Sequence, residues 1–213
     1  MLQKWGREGD KMCGRYWLSN ETGSLCLRYD AEMKNPEEYI STGEVLPSLE
    51  APVVVRGHGQ GNRLVLMRWG FPGFQNRGMI INARAETIDT RPMFRRSFRQ
   101  RRCIVPVNAF FEWKKEGLEK IKYRIDIREH DLFSLAGLFD VFKDKRGEEY
   151  VAFVIITTSP LPTVRNIHDR MPAILSPEEE AVWLDINVRD IDLLKGYMQS
   201  KNITGLRAEK SLD

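Results

Sequence analysis

Four apolar, strand-like segments in the second half of the chain constrain the fold more than any other feature. They span residues 103–111, 121–127, 132–139 and 151–157. The second alternates apolar and polar residues, as a half-buried strand does, and the last is rich in β-branched residues. Helix signals are interspersed with these segments. The run Ser176-Pro177-Glu178-Glu179 is typical of a helix start, and a last helix is predicted over about residues 189–200. The mixture predicts an α+β fold.

Two further apolar runs, residues 53–56 and 64–69, flank the glycine-rich stretch Gly57-His58-Gly59-Gln60-Gly61-Asn62. We predict a β-hairpin here. The stretch superficially matches a nucleotide-binding glycine loop. Because a strand rather than a helix follows it, we reject a dinucleotide site.

Size and composition suit one ordinary soluble domain. The chain has 213 residues, of which 42% are hydrophobic and 30% charged, and no apolar run approaches membrane-spanning length. Neither a signal peptide nor a membrane association is expected, and we predict a cytoplasmic protein. Three cysteines and three histidines at unrelated spacings suggest neither disulfides nor a metal site.

Positive charge is concentrated in residues 91–102, which hold six arginines and no acid. The net charge of the whole chain is only +3, so the remainder sums to −3. The spacing predicts an amphipathic helix with Phe94 and Phe98 on one face and Arg95, Arg99 and Arg102 on the other. The basic face is either a nucleic-acid contact or a solvated helix side.

Cys13 lies in the stretch Met12-Cys13-Gly14-Arg15-Tyr16. If translation starts at Met12 and that methionine is removed, Cys13 carries an amine and a thiol on adjacent carbons. An α-amine has a reference pKa of about 7.7–8.0, so a useful fraction of it is in the uncharged, nucleophilic form at neutral pH. Such a residue can attack an aldehyde with nitrogen and close a five-membered ring with sulfur. The alternative is a buried, inert cysteine on a first strand.

Three other residues are candidates for chemistry. Asn82 lies within an apolar strand and either binds a ligand or is a satisfied core amide. Glu112 is placed among aromatic residues, where desolvation would raise its pKa and suit it to acid–base work, unless it faces solvent. His168 lies in a loop before a helix and is either catalytic or a structural hydrogen-bonding hub.

Five ordered motifs together resemble the SOS response-associated peptidase (SRAP) family, from Met12 to about Trp183. They are Cys13-Gly14-Arg15-Tyr16, Trp69-Gly70-Phe71, residues 81–87 (INARAET), Phe111-Glu112-Trp113 and residues 167–172 (IHDRMP). The resemblance implies a single domain with a bifurcated, partly barrelled, mostly antiparallel β-structure flanked by helices. It also implies binding to single-stranded DNA and a covalent thiazolidine crosslink to abasic sites through the exposed Cys13, with associated autoproteolysis.

The resemblance assigns roles by position. Asn82 would orient the cysteine and sugar, Glu112 would shuttle protons, and His168 would assist imine formation or its reversal. DNA contacts are expected from Arg15, Trp69, Phe71, Arg84, Trp113, Arg95 and Arg99, with the aromatic residues as stacking platforms. We expect no cofactor, no metal, a monomer, and single-stranded DNA with abasic sites as the partner, which would associate the protein with the nucleoid.

The chain departs from the family pattern at both ends. Family members begin Met-Cys-Gly-Arg, whereas eleven residues precede Met12 here. We therefore divide the chain into an extension or propeptide, residues 1–12, and a SRAP-like domain, residues 13–213. An early start assignment, residues added by cloning and a self-removed propeptide are all open. A chain that keeps the extension should not crosslink, and the extension is expected in or across the DNA groove.

At the other end, residues 206–213 reproduce little of the family's closing segment, so some DNA contacts could be missing. Glu44 and Pro47 match an early family loop only partly and are weaker site candidates. Two other functions remain open: a cysteine-type peptidase acting on other proteins through Cys13 and His168, and a non-covalent single-strand binder whose binding is salt-sensitive and independent of Cys13.

Overall fold

The computed structural model describes residues 13–38, 43–57, 59, 61–73, 78–128 and 130–211. The expectations about residues 1–12 therefore lie outside the described residues. The strands are β1 Tyr16–Leu18, β2 Ala31–Glu32, β3 Gly43–Val45, β4 Glu50–Arg56, β5 Asn62–Trp69, β6 Phe71–Pro72, β7 Met79–Ile80, β8 Asn82–Arg84, β9 Arg102–Val107, β10 Ala109–Glu116, β11 Glu119–Ile127, β12 Phe133–Lys143, β13 Glu149–Thr158, β14 Met171–Pro172, β15 Ile174–Leu175 and β16 Leu206–Lys210. The helices are α1 Thr22–Tyr29, α2 Pro92–Gln100, α3 Pro162–Arg165, α4 Pro177–Leu184 and α5 Ile191–Tyr197.

Five of these strands close into a barrel. Strands β13, β12, β9, β4 and β5 are antiparallel neighbours in that order, and β5 pairs back onto β13 in parallel. The predicted hairpin is confirmed as β4 and β5. Closure removes the exposed edges, and both faces of the barrel wall are buried, with Val53 on one face and Ile104 and Leu138 on the other, all at 0% exposure. The α+β, partly barrelled architecture expected from the sequence is confirmed.

A second sheet of five antiparallel strands, in the order β16-β11-β10-β1-β3, branches from the barrel. The branch point is Asn108, between β9 and β10. Its backbone N–H donates to the Trp17 carbonyl at 2.8 Å and its side-chain oxygen accepts the Ser19 N–H at 2.8 Å. The prediction of one strand over residues 103–111 is therefore wrong, because Asn108 ends the barrel strand and starts a strand of the other sheet.

The arginine-rich segment forms α2, as predicted, and Arg95 and Arg99 are exposed. Arg102 is not on the basic face. It begins β9, is 2% exposed, and donates to the carbonyls of Trp183 at 2.6 Å and Phe98 at 2.8 Å. Because those carbonyls close helix ends, the buried guanidinium serves the fold rather than a ligand.

The predicted helix start at Ser176 is confirmed in α4. The Ser176 N–H donates to the Glu179 carboxylate at 2.9 Å, which is one half of a capping box. The last predicted helix is present as α5 and is shorter than expected. Within the described ranges, no helix combines the length and apolar character needed to cross a bilayer.

Candidate functional site

Cys13 and Glu112 form the centre of the candidate site. Cys13 is 2% exposed and Glu112 1% exposed. The Cys13 backbone N–H donates to Glu112 Oε1 at 2.8 Å, and the Cys13 Sγ–H donates to the same oxygen. One buried carboxylate thus touches both atoms that an amino-terminal cysteine would use as nucleophiles.

Burial changes the acid–base properties of both groups. Desolvation raises the pKa of Glu112 to about 7, although hydrogen bonds from Cys13 and the nearby His168 act to lower it. Burial first, and the Glu112 carboxylate second, raise the pKa of the Cys13 thiol well above its usual value. The thiol is therefore held protonated beside a carboxyl group that is close to half ionised at neutral pH, an arrangement suited to proton transfer.

Strand pairing fixes this geometry. Glu112 lies in the middle of β10, in register with Tyr123 of β11. The Phe111 N–H donates to the Arg15 carbonyl at 3.0 Å, just before β1 begins. This bond places the cysteine two residues upstream beside the Glu112 side chain.

The Trp69-Gly70-Phe71 motif supports the backbone next to the site. The Trp69 indole N–H donates to the Ile81 carbonyl at 3.0 Å, and Ile81 lies beside Gly14. Gly70 has φ +120°, and a Cβ there would lie 2.3 Å from Met79, so only glycine fits. The motif therefore holds the start of β8 against the segment that carries Cys13.

The expectation that Trp69 and Phe71 stack on DNA bases is wrong. Both are 0% exposed. Trp69 packs near Tyr16 and Phe153, and Phe71 packs near Phe94 and Phe142. An aromatic ring must present a face to solvent before a base can stack on it, so these two residues belong to the core.

His168 lies in the loop between α3 and β14 that lines the other wall of the site. Its Nδ1 accepts the Arg170 N–H at 3.1 Å and lies 3.0 Å from an Asp169 carboxylate oxygen. These two contacts fix the orientation of the ring in the wall of the cleft.

Arg170 is a site residue to which the sequence analysis assigned no role of its own. Its guanidinium binds the Glu86 carboxylate through both terminal nitrogens and donates to the Thr157 carbonyl at 2.6 Å. Its positive charge also acts to lower the pKa of the Cys13 thiol. The pairing ties the His168 loop to β13 and to the segment after β8. The only sequence signal for the Glu86–Arg170 pair was that each residue lies in one of the family motifs, residues 81–87 and 167–172.

These elements surround a cleft of about 650 Å³. Its lining includes Glu112, Trp113 and Arg15 together with His168, Asp169, Ile81 and Pro47. The structure therefore brings together predicted site residues from four separate segments. Asn82 directly follows Ile81 and pairs with Ile155 of β13, and Arg84, two residues on, is exposed.

Arg95 and Arg99 do not join this group. They lie on α2, which packs on barrel strands β9 and β12, and no described residue of α2 lines the cleft. Their predicted role in DNA binding stays a prediction.

Glu44 neutralises cations beside the cleft. Its carboxylate lies 3.1 Å from the Arg15 guanidinium and 3.2 Å from the Lys122 ammonium. The Arg15 guanidinium also covers the Trp113 ring, 5.5 Å from its centroid. Both cations are therefore held by a carboxylate in a place where a phosphate could bind.

Replacing Glu44 by glutamine should release these cations for an anionic ligand. We expect Glu44→Gln to bind a single-stranded oligonucleotide about 3- to 10-fold more tightly, with a steeper dependence on salt, because one repulsive charge is removed. Fluorescence anisotropy at several salt concentrations measures both. Glu32→Gln, an exposed carboxylate on β2 of the barrel sheet, is the matched control. An unchanged affinity in Glu44→Gln would show that Arg15 and Lys122 do not meet the DNA.

Comparison with known proteins identifies the family. The profile of the SOS response associated peptidase (SRAP) family matches residues 12–210. The chain belongs to the SRAP family. The match covers both sheets and every segment that lines the cleft.

Relatives of known name agree with this assignment. Abasic site processing protein YoqW of Bacillus subtilis is 35% identical, over 92% of this chain and 91% of its own length. Abasic site processing protein YedK of Escherichia coli is 32% identical, over 81% and 79%. Abasic site processing protein HMCES of Xenopus tropicalis is 31% identical, over 92% of this chain and 66% of its own.

Solved structures share the SRAP architecture described above. A crystal structure of a Bacteroides thetaiotaomicron protein superposes with a TM-score of 0.82 at 28% identity, covering 93% of this chain and 91% of that one. A Bordetella bronchiseptica protein at 19% identity gives a TM-score of 0.79, which supports the fold alone.

Proposed function

We propose that this protein processes abasic sites in single-stranded DNA by forming a thiazolidine crosslink through Cys13, once the residues before Cys13 have been removed. Membership of the SRAP family and the names of its relatives support the substrate. The observation that carries the proposed chemistry is the shared contact of the Cys13 nitrogen and sulfur with one oxygen of the buried Glu112.

The reaction balances with these groups alone. The Cys13 amine adds to the C1′ aldehyde of the open abasic sugar and gives a carbinolamine. Glu112, as the acid, protonates its hydroxyl, which leaves as water and gives an imine. The Cys13 thiol then adds to the imine carbon while its proton passes to Glu112 and on to the ring nitrogen. One C–N bond and one C–S bond form, and one water is lost.

A carboxyl group with a pKa of about 7 suits both steps, because its acid and base forms are both populated at neutral pH. The Cys13 thiol needs such a base, since its own pKa is raised well above the usual value. His168 and Asn82 lie on the opposite wall and on the start of β8, where they can orient the sugar hydroxyls and the imine.

Removal of the preceding residues can use the same pair. The Cys13 thiol, giving its proton to Glu112, would attack the Met12 carbonyl carbon and shift the acyl group from nitrogen to sulfur. Water would then hydrolyse the thioester, which releases Met12 as a carboxylate and restores the thiol. Cys13 has φ +41°, in the left-handed region, which costs a non-glycine residue of the order of 1–3 kcal/mol. Cleavage would relieve that strain.

Intact-mass spectrometry tests the proposal. The protein is weighed before and after incubation with a single-stranded oligonucleotide that carries one abasic site. We expect a chain that begins at Cys13 and gains the oligonucleotide mass less one water. A chain beginning at Cys13 that binds the oligonucleotide and gains no mass would leave non-covalent binding as the function.

A second chain that starts at Met12 separates processing from capture. If it crosslinks while the 213-residue chain stays uncleaved and inert, self-removal of the upstream residues is wrong and capture stands. Incubation with unrelated proteins covers the remaining alternative. Their cleavage, lost in Cys13→Ala, would indicate a peptidase acting on other substrates.

A further inference from the structure

The outer face of the five-stranded sheet carries a continuous row of cations that leaves the cleft. Residues opposite each other in an antiparallel pair share a face, so the register of β10, β11 and β16 defines it. Trp113 lies opposite Lys122, Phe111 opposite Arg124, and Asp126 opposite Arg207. The cations on this face are Arg15, Lys115, Lys120, Lys122, Arg124 and Arg207.

Three aromatic rings lie under these cations. Lys122 lies over Phe111 at 4.4 Å, Arg15 over Trp113 at 5.5 Å and Arg124 over Trp17 at 6.0 Å from the ring centroids. Packing on a ring orients a cation and leaves its polar end toward solvent. The face therefore presents an ordered set of charges rather than loose lysine and arginine tails.

Carboxylates on the same face are fewer than cations, and each pairs with one or more of them. Glu44 contacts Arg15 and Lys122, while Asp126 contacts both Arg124 and Arg207. Glu209 lies 3.5 Å from Arg207. Six cations against these three carboxylates leave the face with a net positive charge, complementary to a polyanion.

The row ends in a second hollow. This hollow has a volume of about 410 Å³, and its polar lining includes the cations Arg124 and Arg207, the carboxylates Asp126 and Asp131, and the amides of Asn20 and Asn108, beside Trp17. From Lys120 at the cleft to Asp126 at the hollow, β11 advances six residues, or about 20 Å. Same-face residues on one strand repeat about every 6.8 Å, close to the phosphate spacing of an extended single strand.

We propose that this sheet face is a track for the DNA strand on one side of the lesion, leading its phosphates from the cleft to the hollow around Trp17 and Arg207. The proposal rests on the proposed function for the position of the lesion in the cleft. It adds the expectation that the protein contacts more nucleotides on one side of the lesion than on the other, because only one flank of the strand lies along β11.

The test measures binding of single-stranded DNA that carries a tetrahydrofuran analogue of the abasic site. The analogue has no aldehyde, so the result does not depend on crosslinking. One fluorophore-labelled oligonucleotide has about five nucleotides centred on the analogue, and two longer ones extend it by about six nucleotides on the 5′ or the 3′ side. Anisotropy titrations at several salt concentrations give the affinity and the salt slope for each. We expect extension on one side alone to raise the affinity of the wild-type protein.

Arg124→Gln and Arg207→Gln are the test variants, and each leaves Asp126 one arginine partner. Each should lower the affinity for the better-bound long oligonucleotide about 3- to 10-fold, reduce its salt slope by about 0.7, and shrink the ratio of long to short affinity. Lys210→Gln is the matched control, because Lys210 is on the same strand as Arg207 and points to the other face.

Four outcomes would overturn the track. Three are equal gains from 5′ and 3′ extension, equal losses in Arg207→Gln and Lys210→Gln, and no measurable binding of the DNA that carries the analogue. The fourth comes from a parallel titration with an oligo-glutamate peptide: if the test variants bind the peptide more weakly and the DNA unchanged, the face belongs to an acidic protein. Capture of an abasic oligonucleotide by the wild-type chain beginning at Cys13 is scored separately, so failure of the track and failure of the proposed chemistry give different results.

Discussion

Replacing Cys13 by serine should abolish stable capture of abasic DNA, with a loss on the order of 100-fold or more. In a chain that begins at this residue, serine keeps the amine, so an imine can still form at C1′. Its hydroxyl is a much poorer nucleophile than a thiol and closes the ring weakly. The adduct should therefore be lost on denaturing gels and survive only after reduction with borohydride.

Cys26→Ser is the matched control for this substitution. Cys26 is a partly exposed cysteine on α1 that does not line the cleft, and the variant should capture DNA as the wild type does. Stable capture by Cys13→Ser would rule out the thiazolidine, and loss of capture in both variants would point to a general effect of removing thiols. Circular dichroism of each variant checks that the fold is retained.

Replacing Glu112 by glutamine should slow capture by about 100- to 10,000-fold, the usual contribution of a positioned acid–base group. Glutamine keeps the size and one acceptor oxygen beside Cys13 but cannot exchange a proton. Single-turnover rates between pH 5 and 9 measure the effect. The wild-type profile should show an inflection near pH 7, where Glu112 titrates, and the variant should lack it.

Glu112 should also leave a signature in stability. Its pKa is raised in the folded state to about 7, above the usual 4.5, so the folded protein keeps a proton that the unfolded chain releases between these values. The free energy of unfolding should therefore fall as pH rises from about 4.5 to 7, by about 3 kcal/mol from this one group, and level off above that. Glu112→Gln should not show that fall.

Glu116→Gln provides the comparison. Glu116 lies on the same strand and is exposed, and Lys114 and Glu116 pair at 2.6 Å. Urea unfolding at pH 5 and pH 8 should give the wild-type pH dependence for Glu116→Gln and a flatter one for Glu112→Gln. Identical pH dependence in all three proteins would mean that Glu112 is not desolvated, and its proposed role as a proton shuttle would fall with it.

Local patterns predicted the elements well. Strand alternation in residues 121–127 and the capping signal at Ser176 depend on neighbours in sequence, and both are confirmed. The break at Asn108 could not be seen in the same way. Residues 103–111 are apolar apart from Asn108 itself, and the division between two sheets depends on bonds that join Asn108 to Trp17 and Ser19, about ninety residues away.

The candidate site was likewise predicted only in part. Family motifs singled out Cys13, Glu112 and His168, and the first two are in contact while the third lines the same cleft. Motifs do not distinguish a residue that meets a ligand from one that holds the residue next to it. Trp69 shows this, because its pattern fits a stacking platform and its burial makes it a support.

The hydrogen bond from the Trp69 indole to the Ile81 carbonyl has a consequence for reading mutational scans of this protein. A survey that scores survival under DNA damage would rank Trp69→Phe with the lesion-contacting positions, although the indole touches no nucleotide. The loss would come from a displaced backbone at the start of β8 and from the space left beside Tyr16 and Phe153, and a melting curve would report a lower stability as well. Buried positions at which substitutions reduce function would therefore be residues that hold the nucleophile in place. A binding surface mapped from such a scan would wrongly include these buried residues.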